Sequence, residues 1–233
     1  MLAMLASDAE SEGFVDQSPT QMADHWRPKP ARRPGQPRYH WHMLFHDQPE
    51  VRRLAAAAQR KLAGLPGLDL VPEQWLHLTT FAVGYADEVP AASLDVMAAA
   101  AGQALAAVAP VPAALGRIVY YPEAVVLAVE PPGALQPVLD AVAAATRAAG
   151  WEGRTSTNPW LPHITVAYSH DTGPAAPIVA ALGHWLPRTE ITIKSVSLVA
   201  QTQIGRSWQW QTVAEAHLTG PAAPAGPVTA DGS

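Results

Sequence analysis

The sequence predicts a folded body of alternating strands and helices, built as two similar lobes whose sheets face a shared cleft. Three observations carry that prediction. Hydrophobic spacing switches repeatedly between the two-residue period of strands and the 3.6-residue period of helices. A strand–helix–strand unit occurs twice, and each copy places a histidine–apolar–threonine triplet on its second strand. Finally, 233 residues, 48% hydrophobic and 15% charged, suffice for one substantial core.

Taken in order, residues 1 to 24 carry Asp8, Glu10, Glu12, Asp16 and Asp24 with few large apolar groups, and read as a disordered acidic tail. Tyr39 to Phe45 reads as a strand, with Tyr39, Trp41, Met43 and Phe45 on one face and His40, His42, Leu44 and His46 on the other. Asp47 and Pro49 end it and cap a helix from Glu50 to Ala63, which Gly64 stops. Trp75 to Val83 is a second strand, and Ala91 to Ala109 a second helix. Gly116 to Tyr121 and Ala124 to Glu130 form a hairpin turning at Pro122 and Glu123. A helix over 134–149, a strand over 161–168, a short helix over 175–186 and strands over 191–201 and 206–217 complete the body. Residues 218–233, rich in Pro, Ala, Gly and Thr, read as a second tail, which leaves 25–217 as the domain. The repeat is close in length: Leu44 to His77 is 33 positions and Ala128 to His163 is 35.

Composition excludes several classes. Pro, Arg, Glu or Gln interrupts every apolar run before membrane-spanning length. Met1 to Ser7 is apolar but short, with no basic residue before it, and fails as a secretory signal. Without cysteine there is no disulfide framework, thiolate nucleophile or Cys-ligated zinc, which fits the cytoplasm. A net charge of −5 argues against duplex DNA as a partner, since such binding needs a basic surface. Arg27, Lys29, Arg32, Arg33 and Arg38 form a local basic, proline-spaced stretch, either a solvated linker or an arm over an anionic substrate.

The chemistry lies in the triplets. In His77-Leu78-Thr79 and His163-Ile164-Thr165 the histidine and threonine share one strand face, while Leu78 and Ile164 point into a core. Two such strands about a twofold axis bring two imidazoles and two hydroxyls to one volume. That set suits in-line attack at a phosphodiester: one histidine as base, one as acid, and threonine hydroxyls on the phosphate oxygens. A lone triplet is weak evidence; two in matching places of a repeat are not.

These paired motifs resemble the 2H phosphoesterase superfamily, and within it the bacterial 2′-5′ RNA ligase and cyclic phosphodiesterase proteins. The resemblance covers about residues 25–215, including the stretch His25-Trp26-Arg27-Pro28 through Tyr39-His40-Trp41-His42. It implies a bilobal α+β fold and action on 2′,3′-cyclic phosphates or 2′-5′ linkages of nucleotides or RNA ends, without a metal or other cofactor. By residue, it makes His77 and His163 the acid and base, and Thr79 and Thr165 the phosphate ligands. The extra imidazoles of His40 and His42 depart from the pattern.

Further candidates surround the motifs. Trp75, Phe81, Trp160 and Tyr168 flank the histidines and are candidates for stacking on a base. Tyr168 needs a β-bulge to reach the cleft face. Arg117 and Arg154 are candidate phosphate cations, and His42 a floor residue of the cleft. Two rival readings stand beside this one: a metallohydrolase using His40, His42 and His46 with Asp47, and a non-catalytic nucleotide-binding module. A monomer is expected.

Overall fold

The computed structural model describes residues 18–29, 33, 35–153 and 160–221. Its elements run β1 (Gln21–Met22), β2 (Arg38–Leu44), α1 (Pro49–Leu62), β3 (Leu68–Leu70), β4 (His77–Tyr85), α2 (Ala91–Leu105), β5 (Val111–Tyr121) and β6 (Ala124–Glu130). They continue with α3 (Gln136–Ala148), β7 (His163–Ser169), β8 (Gly173–Pro174), α4 (Ala176–Leu182), β9 (Trp185–Ile193), β10 (Ser195–Ile204) and β11 (Ser207–His217).

Backbone pairing sorts most strands into two antiparallel sheets, one ordered β11-β10-β2-β4 and the other β3-β7-β6-β5-β9. The two orders match about a pseudo-twofold axis: β4 corresponds to β7, β2 to β6, β10 to β5 and β11 to β9. The fold is α+β and bilobal, as the repeat predicts.

The helices exchange between lobes. Helix α1 leaves β2 of the four-stranded sheet but packs on β7, β9 and α4 of the other. Helix α3 leaves β6 of the five-stranded sheet and packs on β4 and α2. Two side-chain bonds secure the exchange. Trp41 of β2 donates its indole N–H to Thr146 Oγ1 of α3 at 3.1 Å, and Gln59 of α1 donates to the carbonyls of Val71 (2.7 Å) and Val166 (3.0 Å). Buried apolar residues from both sheets and all four helices therefore form one core, with Trp41, Phe45, Leu78, Leu127 and Ile164 at most 2% exposed.

Several sequence expectations need correction. The strand expected over 191–201 is two strands: exposed Lys194 marks the crossing from β9 in one sheet to β10 in the other. The helix expected to reach residue 186 ends at Leu182, because Gly183 takes a left-handed φ of 73°. Helix α2 stops at Leu105, ahead of Pro110. Asp47 does not cap α1; Gln48 holds that position without a side-chain cap bond. Strand β3 escaped notice, since three residues are too few to show alternation. Both tail boundaries also move outward. β1 pairs with β8 and buries Met22. Leu218 is buried too, and Gly220 lies so close to the Ala107 backbone that a Cβ would not fit. Among the described residues no helix is long and apolar enough to cross a membrane.

Candidate functional site

Each motif histidine is the first residue of its strand, His77 of β4 and His163 of β7, and those strands pack against each other. Each ring is held the same way. His77 Nδ1 lies 3.0 Å from the Trp75 carbonyl and His163 Nδ1 lies 2.7 Å from the Leu161 carbonyl, both two residues upstream. A carbonyl only accepts, so Nδ1 carries the hydrogen and Nε2 is the basic nitrogen in both rings.

Burial governs their charge. Desolvation lowers the His77 pKa to about 4, opposed by the Trp75 bond and assisted by the positive charge that a protonated His163 would carry. The His163 pKa is lowered too, again chiefly by desolvation, with the Leu161 bond opposing. The ligand-free site therefore holds two neutral imidazoles near neutrality.

Two bulges decide which neighbours share their face. Across β2 and β4, His42 stands opposite Thr79 while Trp41 stands opposite Phe81, so Thr80 is the extra residue. His77, Thr79 and His42 line one face, whereas Phe81 turns to the Trp41 side and is buried in the core. That removes Phe81 from the stacking candidates. Across β6 and β7, Val126 faces Thr165 and Val125 faces Ala167, which makes Val166 the extra residue. Tyr168, opposite Ala124, thereby returns to the face of His163 and Thr165. Both bulges follow the motif threonine by one residue, a further sign of the repeat. Thr79 is exposed and Thr165 buried.

The other expected residues divide. Trp75, His77 and Tyr168 line one pocket together with Trp208 and the β3 residues Asp69 and Leu70. Trp160 donates its indole N–H to the Thr79 carbonyl at 3.2 Å, tying the approach to β7 onto β4; its ring is only partly buried. Arg117 Nε lies 3.7 Å from Glu130, an ion pair too long for a hydrogen bond. Its charge acts on Tyr121, whose ring lies 5.7 Å from His163. Arg154 lies outside the described residues.

Sequence reasoning missed an aromatic wall. Trp210 of β11 meets the His77 ring edge-on at 4.8 Å, Trp75 at 4.8 Å and His42 at 5.6 Å. Strand β11, the edge of the four-stranded sheet, thus brings Trp210 against His77. The spacing of Trp208 and Trp210, two apart on one strand, was the available signal. Beneath His77 the rings of His42 and His40 follow in file, 4.4 and 5.3 Å from one to the next. His42 is fully buried, gives its Nδ1 hydrogen to the Trp41 carbonyl (3.1 Å), and leaves Nε2 without a hydrogen-bond partner among the described residues. His46 stands exposed, apart from this file, and among the described residues no three His, Asp or Glu side chains are grouped to hold a metal.

The N-terminal segment completes the surroundings. His25 stacks on Tyr168 at 4.2 Å and accepts the Trp208 indole N–H at 3.0 Å; Trp26 donates to Asp69 at 2.9 Å. Of the basic stretch, Arg27 and Lys29 pair with Glu123, and Arg33 with Asp87 and Glu88. Among the described residues these three cations pair with the protein's own carboxylates, with Arg27 and Arg33 still exposed.

Two facing antiparallel lobes, each starting a motif strand on a histidine, define the bilobal class of the 2H phosphoesterases. The family model of the 2′-5′ RNA ligase superfamily matches residues 45–204, and the chain belongs to that superfamily. Among solved structures, TT0787 of Thermus thermophilus is 22% identical, with 79% of this chain and 100% of that chain covered and a TM-score of 0.63. E. coli LigT, solved with 3′-AMP, is 17% identical, covering 79% and 98% of the chains, with a TM-score of 0.57. The same protein has been solved with ATP and with NADP+. At these identities the likeness establishes the fold. No curated protein matches the sequence.

Proposed function

We propose that the chain is a phosphoesterase acting on 2′,3′-cyclic phosphates or 2′-5′ linkages of nucleotides or RNA ends, with His77 and His163 as its acid–base pair. The observation that carries this reading is the matched tethering of the two rings, each by a carbonyl two residues upstream, at the starts of adjacent strands. In hydrolysis of a cyclic phosphate, the neutral imidazole takes a proton from water through Nε2 as the oxygen bonds to phosphorus. The bond from phosphorus to one ribose oxygen breaks, and the other histidine, protonated, delivers its proton to that oxygen. Each transfer contributes on the order of 10²–10⁴ in rate. Thr79 and Thr165 donate to the non-bridging oxygens, where negative charge collects. Neither proton transfer requires a metal. The nucleotides bound by LigT support a nucleotide substrate class.

The test is turnover of 2′,3′-cyclic nucleotides and of a 2′-5′-linked dinucleotide, with and without EDTA. Product release insensitive to EDTA is expected. Activity abolished by the chelator would overturn the metal-independent mechanism, and binding without turnover would leave a nucleotide-binding module.

A further inference from the structure

Trp210 borders more than the histidines. Its indole also lines a cavity of about 500 Å³, walled besides by Leu44, Phe45 and Leu76, with His46 and Gln74 at its polar edge. Phe45 and Leu76 are buried and give the space an apolar floor, Leu44 is half-buried, and His46 and Gln74 stand exposed. Arg52 and Glu73 also reach the lining, where they pair with each other at 3.0 Å and so offset each other's charge.

Three links tie this cavity to the motif histidine of β4. Trp210 meets the His77 ring at 4.8 Å. Leu44 stands directly opposite His77 across β2 and β4. Gln74 belongs to the short helical turn Glu73–Trp75, and the carbonyl of Trp75 is the one that holds His77 Nδ1. One turn of chain therefore orients the imidazole and presents an amide to the neighbouring space. A cavity of this size, apolar at its floor and polar at a few points of its edge, has the make-up of a small-molecule site.

We infer that this cavity takes the base of a nucleotide whose phosphate lies at His77, with Trp210 stacked on the base and the Gln74 amide bonded to its edge. The inference rests on reading the His77 and His163 pair as the phosphoester site. A base is flat, apolar on its faces and polar at its rim, which matches an indole wall with an amide beside it. An amide offers both donors and an acceptor, as the edge of a base does. A phosphate is the poorer occupant, because the arginine of the lining is already paired with Glu73.

Calorimetric titration of the full chain with 3′-AMP and with ribose 3-phosphate, the same sugar phosphate without its base, tests this. The parent protein should bind 3′-AMP about tenfold or more tightly, the size expected for one stacked base. Trp210→Leu should bring 3′-AMP to within about threefold of ribose 3-phosphate. Gln74→Ala, at an exposed position that the fold tolerates, should weaken 3′-AMP by about three- to tenfold and leave ribose 3-phosphate within about twofold. Equal affinity for the two ligands in the parent protein would overturn the base site, as would a preference that survives both substitutions or an equal weakening of both ligands by each. Turnover without a preference for the base would sink this inference and spare the catalytic reading; a preference for the base without turnover would do the reverse.

Discussion

At the scale of single residues, the histidines are set by two opposing effects. Burial removes the charged form, while the upstream carbonyls fix which nitrogen is basic. The reaction needs one imidazole protonated, and both free-enzyme pKa values lie below the ordinary 6.5. The bell of kcat/KM against pH, which reports the free enzyme, should therefore peak below 6.5. An anionic phosphate between the rings favours their protonated forms, so the kcat profile should be displaced to higher pH. A kcat/KM maximum above pH 7 would contradict the assignment. Replacing Thr79 with valine removes a hydroxyl from an exposed cleft position. It should lower kcat by about 10²-fold with an unchanged melting temperature, the size expected for losing one donor to a charged transition state.

Strands and loops explain how much of the site was legible. Both motif strands, the β5–β6 hairpin and the first three main helices follow from spacing alone, because their apolar faces are long and regular. The bulges at Thr80 and Val166 were not legible, since a bulge is a relation between two strands and leaves no mark in either alone. That is why Phe81 was misplaced, and why Tyr168 hung on a bulge that no single strand reveals. The crossing at Lys194 was hidden for a similar reason: β9 and β10 differ in the sheet they join, not in local pattern. Gly153 offers a direct check on Phe81. It has a φ of +69°, and a Cβ there would sit 2.2 Å from the Phe81 ring. Gly153→Ala should therefore destabilise the fold by about 1–3 kcal/mol, measured by urea unfolding. Unchanged stability would place the ring elsewhere.

Across the whole molecule, the exchanged helices join both lobes to one core, so the chain should unfold in a single transition by circular dichroism and by tryptophan fluorescence. Its stability should also fall in acid. His40, His42 and His77 have lowered pKa values in the folded protein, chiefly from burial, whereas in the unfolded chain they take protons near pH 6.5. Below that pH the unfolded state binds more protons. The stability these neutral rings contribute is thus whole above 6.5 and is lost as the pH falls toward 4. With its pKa lowered from 6.5 to about 4, His77 alone accounts for about 3 kcal/mol of the total loss. Urea midpoints at pH 7.5 and pH 5 measure it; a midpoint that rises on acidification would show that the rings are not buried neutral.

The paired-histidine claim is tested most directly by steady-state turnover of a 2′,3′-cyclic nucleotide with His77→Ala and His163→Ala, alongside 3′-AMP binding to each variant. The account predicts that each substitution lowers kcat by about 10²–10⁴-fold while 3′-AMP still binds. Two variants that bind the nucleotide and turn over within a few-fold of the parent protein would contradict it.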